Sequence, residues 1–204
     1  MAFYQYRDVA LETIARNIIK KYDASLLFAP VPIPVEDIME QQYGLRIEFQ
    51  YIRNNGRILG ETVFDDTLVA VYDEEYKMYT LIPAKSGTVF IDASLIACRK
   101  DGRFCYTCAH ELGHYVLHQD IYTGSGLTAA MFDDQPKKST DTDKAIERQA
   151  DRLGCFLLMP AGTVKMAFHR FGRNQSDPIL ALSKVFEVSR AAMQYRLKEM
   201  GLLG

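Results

Sequence analysis

The chain has 204 residues, 48% of them hydrophobic, which is enough to bury one sizeable core and short for more than one full domain. With 24 basic and 26 acidic side chains the net charge is -2, so no global attraction to a nucleic-acid backbone or an anionic membrane is expected. No apolar run approaches the roughly 20 residues of a membrane span, and MAFYQYRDVALETIARNI lacks the apolar centre of an export signal. A cytoplasmic protein is expected, with Cys98, Cys105, Cys108 and Cys155 as thiols and not disulfides.

In chain order, residues 7–21 place Val9, Ala10, Ile14, Ile18 and Ile19 at helical spacing and predict an opening amphipathic helix. PVPIPVEDIMEQQYG predicts an extended proline-rich entry, a short helix from about Val35 and a stop at Gly44. LRIEFQYI alternates, with Leu45, Ile47, Phe49 and Tyr51 against Arg46, Glu48 and Gln50, as a strand with one wet face does, and Asn54-Asn55-Gly56 predicts a turn after it. TLVAVY (67–72), KMYTLIP (77–83) and TVFID (88–92) predict further strands of a small, largely antiparallel sheet.

From about Arg103 to His118 the pattern is helical, and the polar, glycine-containing stretch from Gln119 to Thr142 predicts a mobile loop. Helix resumes near Asp143, with Ile146, Ala150, Leu153 and Leu157 as its apolar stripe and Pro160 as its end. The last segment predicts two helices at about 176–201, Asp177-Pro178 capping and opening the first and Ser189 capping the second. No internal repeat or low-complexity tract is present.

CAHELGHYVLH, residues 108–118, carries the chemistry. His110 and His114 are four apart, so on a helix they project from one side about 6 Å apart along the axis, and two imidazoles can share one cation. Glu111 is offset by one residue, too far round to ligate beside both, yet placed to touch a water on the open side of a metal, as a general base does. His118 lies a further helical step along and is expected outside the coordination sphere, in a supporting or solvated role. A third histidine at position 120 is ruled out, because that residue is Asp120. Glu147 and Asp151, in ERQAD, offer the alternative: a carboxylate ligand followed four residues on by a carboxylate that accepts a hydrogen bond from an imidazole. Gly113 and Gly154 would let the two helices approach closely.

Two stretches, FCYTCAHELGHYVLH (104–118) and ERQADRLGCFLLMP (147–160), resemble the aromatic-led HELGH helix and the glutamate helix ending in Leu-Leu-Met-Pro of the ImmA/IrrE family of zinc metallopeptidases. Weaker similarity covers VPIPVEDIMEQQYGLRIE, TVFID and LALSKVFEVSRAAMQYRLKEMGL, so the likeness spans about residues 30–201. Leu153, Gly154, Cys155, Cys105 and Cys108 depart from the usual pattern without removing a chemical group. The resemblance implies an α+β, zincin-like fold: one peptidase domain over 1–204, with a small sheet packed on the HExxH helix and the glutamate helix and a C-terminal helix pair. It implies His110, His114 and Glu147 as zinc ligands, Glu111 as general base and Asp151 as the residue orienting an imidazole. It also implies limited proteolysis of a helix-turn-helix transcriptional repressor.

On that reading zinc activates water and polarises the scissile carbonyl, while Glu111 moves the proton; manganese or iron could occupy the same donors. A peptide would add as a strand along TVFID or KMYTLIP. The sequence does not identify a transition-state donor; Tyr115 and His169 are guesses, each expected to be structural instead. Cys105-x-x-Cys108 lacks the second pair of a structural zinc site and the setting of a redox motif, so ordinary thiols are expected. The competing reading is a DNA- or protein-binding module with a non-catalytic zinc site. There Arg190, Arg196 and Lys198 of the C-terminal helix pair would face a ligand. Direct DNA binding is not expected, because the patch is modest with Glu199 nearby, and Ala191, Ala192, Tyr195 and Leu197 read as core-facing.

Overall fold

A computed structural model describes residues 4–52, 58–124, 140–172 and 175–203. The predicted turn at Asn54-Asn55-Gly56, and most of the predicted loop after Gln119, lie outside these residues. Among the described residues no helix is long and apolar enough to cross a membrane.

The chain runs α1 (Asp8–Asp23), α2 (Val35–Asp37), β1 (Arg46–Gln50), β2 (Gly60–Thr62), β3 (Thr67–Asp73), β4 (Met78–Ala84) and β5 (Thr88–Asp92). There follow α3 (Arg103–Tyr122), α4 (Asp141–Leu158), α5 (Ala161–Ala167), α6 (Pro178–Val185) and α7 (Arg190–Glu199). This is an α+β fold with small sheets and a helical C-terminus, as expected. The opening helix keeps Ile18 and Ile19 of the predicted stripe but buries Leu11 and Ala15 in place of Val9 and Ala10. Leu11, Ala15, Ile18 and Ile19 are buried, whereas Val9 is 80% exposed, because the Leu11 series sustains an i, i+4, i+7, i+8 face and the Val9 series does not.

The strands form two sheets where one was predicted. In the first, β5 is central, parallel to β1 and antiparallel to β2; in the second, β3 and β4 make an antiparallel hairpin. Every residue of β5 is buried, with neighbours on both edges, so TVFID cannot receive an added strand. The edges of that sheet are β1 and β2, and the three residues of β2 carry too little alternation to register as a strand in sequence.

α3 and α4 cross at the centre of the molecule. A Cβ on Gly113 would stand 3.0 Å from the Ala150 Cα and carbonyl oxygen, and one on Gly154 would stand 3.2 Å from the Ala109 carbonyl carbon. The small residues therefore permit backbone contact between the helices. The buried stripe Ile146, Ala150, Leu153 and Leu157 is the predicted one. Thr140 and Asp143 cap α4 reciprocally, and Pro160 follows its end. α3 continues four residues past His118, to Tyr122, because the Tyr122 ring stacks on Phe64 at 4.8 Å and is buried with Ile146 in a satellite cluster.

At the C-terminus, Asp177 accepts from Leu180 N (2.9 Å) and Ser189 from Ala192 N (3.1 Å), as predicted. The assignment of faces on α7 is reversed in part. Arg196 is 2% exposed, donating to Glu12 (2.6 Å), Glu199 (2.9 Å) and the Met159 carbonyl (3.1 Å), whereas Tyr195 is 58% exposed. Met193 and Leu197 form the apolar seam, and Arg196 lies beside it with its guanidinium 4.6 Å from the Phe156 ring centroid.

Candidate metal centre

The α3–α4 crossing brings His110, His114 and Glu147 together, each offering a donor atom within 4.8 Å of the others. The Nε2 atoms of His110 and His114 are 3.0 Å apart; Glu147 Oε2 lies 3.4 Å from the first and Oε1 3.5 Å from the second. Donors held 2.0–2.1 Å from a tetrahedral zinc stand about 3.3 Å from one another, so the three side chains fit one divalent cation. Glu147 is the carboxylate, some thirty positions downstream on the later helix, that the sequence offered as third donor, and the fold brings it to the His pair.

Each imidazole is held from behind. His110 Nδ1 lies 2.9 Å from Asp151 Oδ1, which also accepts from the Tyr106 hydroxyl at 3.0 Å. With Nδ1–H donating to Asp151, Nε2 keeps its lone pair for a cation. His114 Nδ1 lies 3.2 Å from His118 Nδ1. His118 is thus outside the donor set and is not solvated, since it is 1% exposed. Burial, and then the neighbouring His114, lower its pKa to about 3, so it is neutral and can accept from His114.

The electrostatics favour an ionised carboxylate among the donors. Burial works against the charge on Glu147, but hydrogen bonds from His110 and His114 overcome it and hold its pKa well below the carboxylate range. Burial likewise opposes a charged His110, yet hydrogen bonds with Asp151 and Glu147 raise its pKa to about 10. A divalent cation held by these donors would replace that proton.

Glu111, 4% exposed, contributes no atom to the triad. Its Oε2 accepts from Thr62 Oγ1 at 2.7 Å, and its side chain lies flat on the Gly60 backbone, where a Cβ would meet Oε1 at 2.5 Å. β2 therefore carries the two residues that fix this carboxylate. Gly60 and Thr62 escaped sequence reasoning, because GET has no periodicity and lies about fifty residues from Glu111. Tyr106 escaped it too, although its i−4 relation to His110 puts both on one face of α3.

Tyr115 and His169 have ring contacts of their own. The Tyr115 ring packs edge-on to Tyr43 and stacks with Phe64, and His169 is exposed just beyond α5 against Phe168. Cys105, Cys108 and Cys155 are free thiols, and burial pushes the Cys155 pKa up to about 11 against the pull of Arg196 and Arg152.

With this geometry in view, comparison with known proteins finds the Peptidase_M78 family, described as the IrrE N-terminal-like domain, matching residues 77–198. The chain belongs to this family. The Peptidase_M78 match covers α3, α4 and the C-terminal helices, and so all of His110, Glu111, His114, Glu147 and Asp151. No curated protein matches the chain. Among solved structures, a Mycobacterium tuberculosis transcriptional regulator superposes with a TM-score of 0.52 at 14% identity, over 92% of this chain. The chain spans 46% of that regulator, so the likeness is one of fold over less than half of the larger protein.

Proposed function

We propose that the chain is a zinc-dependent endopeptidase with His110, His114 and Glu147 as ligands, Glu111 as general base and Asp151 orienting His110. The observation carrying this reading is the separate anchoring of Glu111. A binding-only site has no use for a buried carboxylate that ligates nothing, yet Thr62 and Gly60 hold this one beside the triad. The bound cation would supply Lewis acidity, lowering the pKa of water towards ~7 and polarising a carbonyl.

Glu111 takes the proton of the attacking water and passes it to the leaving amine. Thr62 holds one oxygen, leaving the other for that proton, and Asp151 with Tyr106 keeps His110 in the tautomer whose Nε2 points at the cation. A peptide lies along the free edge of β2, main chain to main chain, which brings its carbonyls over α3.

The substrate in this reading is a helix-turn-helix repressor cut once in the cytoplasm, in keeping with the ImmA/IrrE resemblance and with a fold shared by a transcriptional regulator. The DNA-binding reading loses support, because Arg196 is buried in ion pairs and Arg190 is paired with Asp177 at 2.7 Å. The test is incubation of the chain with a helix-turn-helix repressor from the same cell, with chelator and after zinc is restored. A single cleavage that chelator abolishes and zinc returns is expected; an intact repressor under all conditions refutes the substrate, and cleavage indifferent to chelator refutes the metal.

A further inference from the structure

His110, His114, His118 and Tyr122 stand four residues apart on α3, so their side chains form one column along the helix. The first two are donors of the triad. The third is 1% exposed, its ring 5.2 Å from that of His114, and the mechanism above gives it no part.

His118 Nδ1 lies 3.2 Å from His114 Nδ1, while His118 Nε2 is buried with no hydrogen-bond partner among the described residues. A buried polar atom without a partner is costly, so a histidine kept only for packing would use both ring nitrogens or give way to an apolar ring. This one directs its single side-chain hydrogen bond at a metal donor. A neutral imidazole carries one proton. If His114 presents Nε2 to a cation, its proton is on Nδ1 and faces His118 Nδ1, which must offer a lone pair and keep its own proton on Nε2. The reverse arrangement, with His118 Nδ1–H donating, would put the His114 proton on Nε2 and close that atom to a metal. The direction of one hydrogen bond thus decides whether His114 can ligate.

The surroundings hold this column in place. The Tyr122 ring, 6.1 Å from that of His114, stacks on Phe64 at 4.8 Å and is buried with Ile146, so the far end is shut off from bulk water. The two imidazole donors are backed differently. Asp151, behind His110, is a half-exposed carboxylate, whereas His114 and His118 are both buried. At that depth an uncharged acceptor avoids burying another ion.

Resting on the metal site of the peptidase reading, we infer that His118 is the positioning residue of His114. Its Nδ1 accepts from His114 Nδ1–H and thereby sets the tautomer and ring orientation that present His114 Nε2 to the cation. The Phe64, Tyr122 and Ile146 cluster keeps that acceptor dry.

Zinc affinity of wild type, His118→Phe and His118→Asn, measured by competition with a chromogenic chelator, tests the role, with thermal melting of the metal-free chains as the check on folding. Phe keeps a ring and removes the acceptor; Asn gives up the ring and keeps an oxygen close to the place of Nδ1. His118→Phe should bind zinc about tenfold or more weakly, and His118→Asn within about threefold of wild type. His118→Phe at wild-type affinity, or a folded His118→Asn as weak as His118→Phe, overturns the inference. Nitrogen NMR of the labelled, zinc-loaded wild type decides it without any variant. A proton on His114 Nδ1 and on His118 Nε2, with a nitrogen–nitrogen coupling across the hydrogen bond, is expected; a proton on His118 Nδ1 overturns the inference. None of these readings needs a substrate. A wild-type chain that binds zinc and cuts nothing fails the peptidase reading alone, whereas one that binds no zinc overturns the role of His118 as well.

Discussion

Gly60→Ala isolates the role of β2. The substitution adds one methyl group at a glycine whose φ is not in the left-handed region, so the backbone accepts it. The new Cβ would stand 2.5, 2.7 and 2.8 Å from Oε1, Cγ and Cδ of Glu111, closer than such atoms approach in practice. The carboxylate must retreat by about 0.5–1 Å, and misplacing a reacting group by that much costs on the order of 10²-fold in rate, or about 2.7 kcal/mol. The three atoms nearest the new methyl all belong to Glu111, which contributes no atom to the His110, His114 and Glu147 group, so zinc content should stay at the wild-type level. The assay is kcat/KM on a cleaved peptide with metal measured in the same sample. Thr62→Val, removing the 2.7 Å hydrogen bond to the charged oxygen, should cost about 1.5–3 kcal/mol by the same route. In a Glu111→Gln background both substitutions should become nearly silent. A Gly60→Ala chain within threefold of wild type, fully zinc-loaded, would refute the claim that β2 positions the base.

Tyr106→Phe removes the second hydrogen bond on Asp151 and should weaken zinc binding by about tenfold, with Asp151→Ala costing up to about 100-fold; competition with a chromogenic chelator reads both. Gly113→Ala must push α3 away from the Ala150 backbone and should destabilise the chain by about 1–3 kcal/mol in urea unfolding, with zinc affinity falling in parallel. Cys155 has its pKa raised from 9.0 to about 11, so between those values the unfolded chain releases a proton that the folded chain retains, and stability falls as pH rises through that window. Cys155→Ala should flatten that part of the pH–stability curve, and at pH 8 iodoacetamide should leave Cys155 unmodified in the folded chain.

The helices that carry the donors were legible because local rules govern them. His110 and His114 share a face by helical periodicity alone, and the stripe from Ile146 to Leu157 orients α4 so that Glu147 and Asp151 point the same way. What escaped reading depends on partners distant in sequence. β2 exists because β5 offers an edge, and the parallel pairing of β1 with β5 leaves no mark in either segment. The length of α3 is decided by Phe64 beneath Tyr122, not by the polar residues at its end. On α7, tyrosine was assigned to the core and arginine to solvent by polarity. Glu12, Glu199 and the Met159 carbonyl reverse that order, because together they satisfy a buried guanidinium.

The central claim is that Glu111 does chemistry at a cation it does not bind. Zinc content and single-turnover cleavage of one peptide, measured side by side for wild type and Glu111→Gln, test it most directly. One zinc per chain in both proteins, with cleavage by Glu111→Gln slower by about 10³-fold or more, is the predicted result. Glu111→Gln cleaving at close to the wild-type rate with zinc in place would contradict the account, and so would loss of zinc from Glu111→Gln.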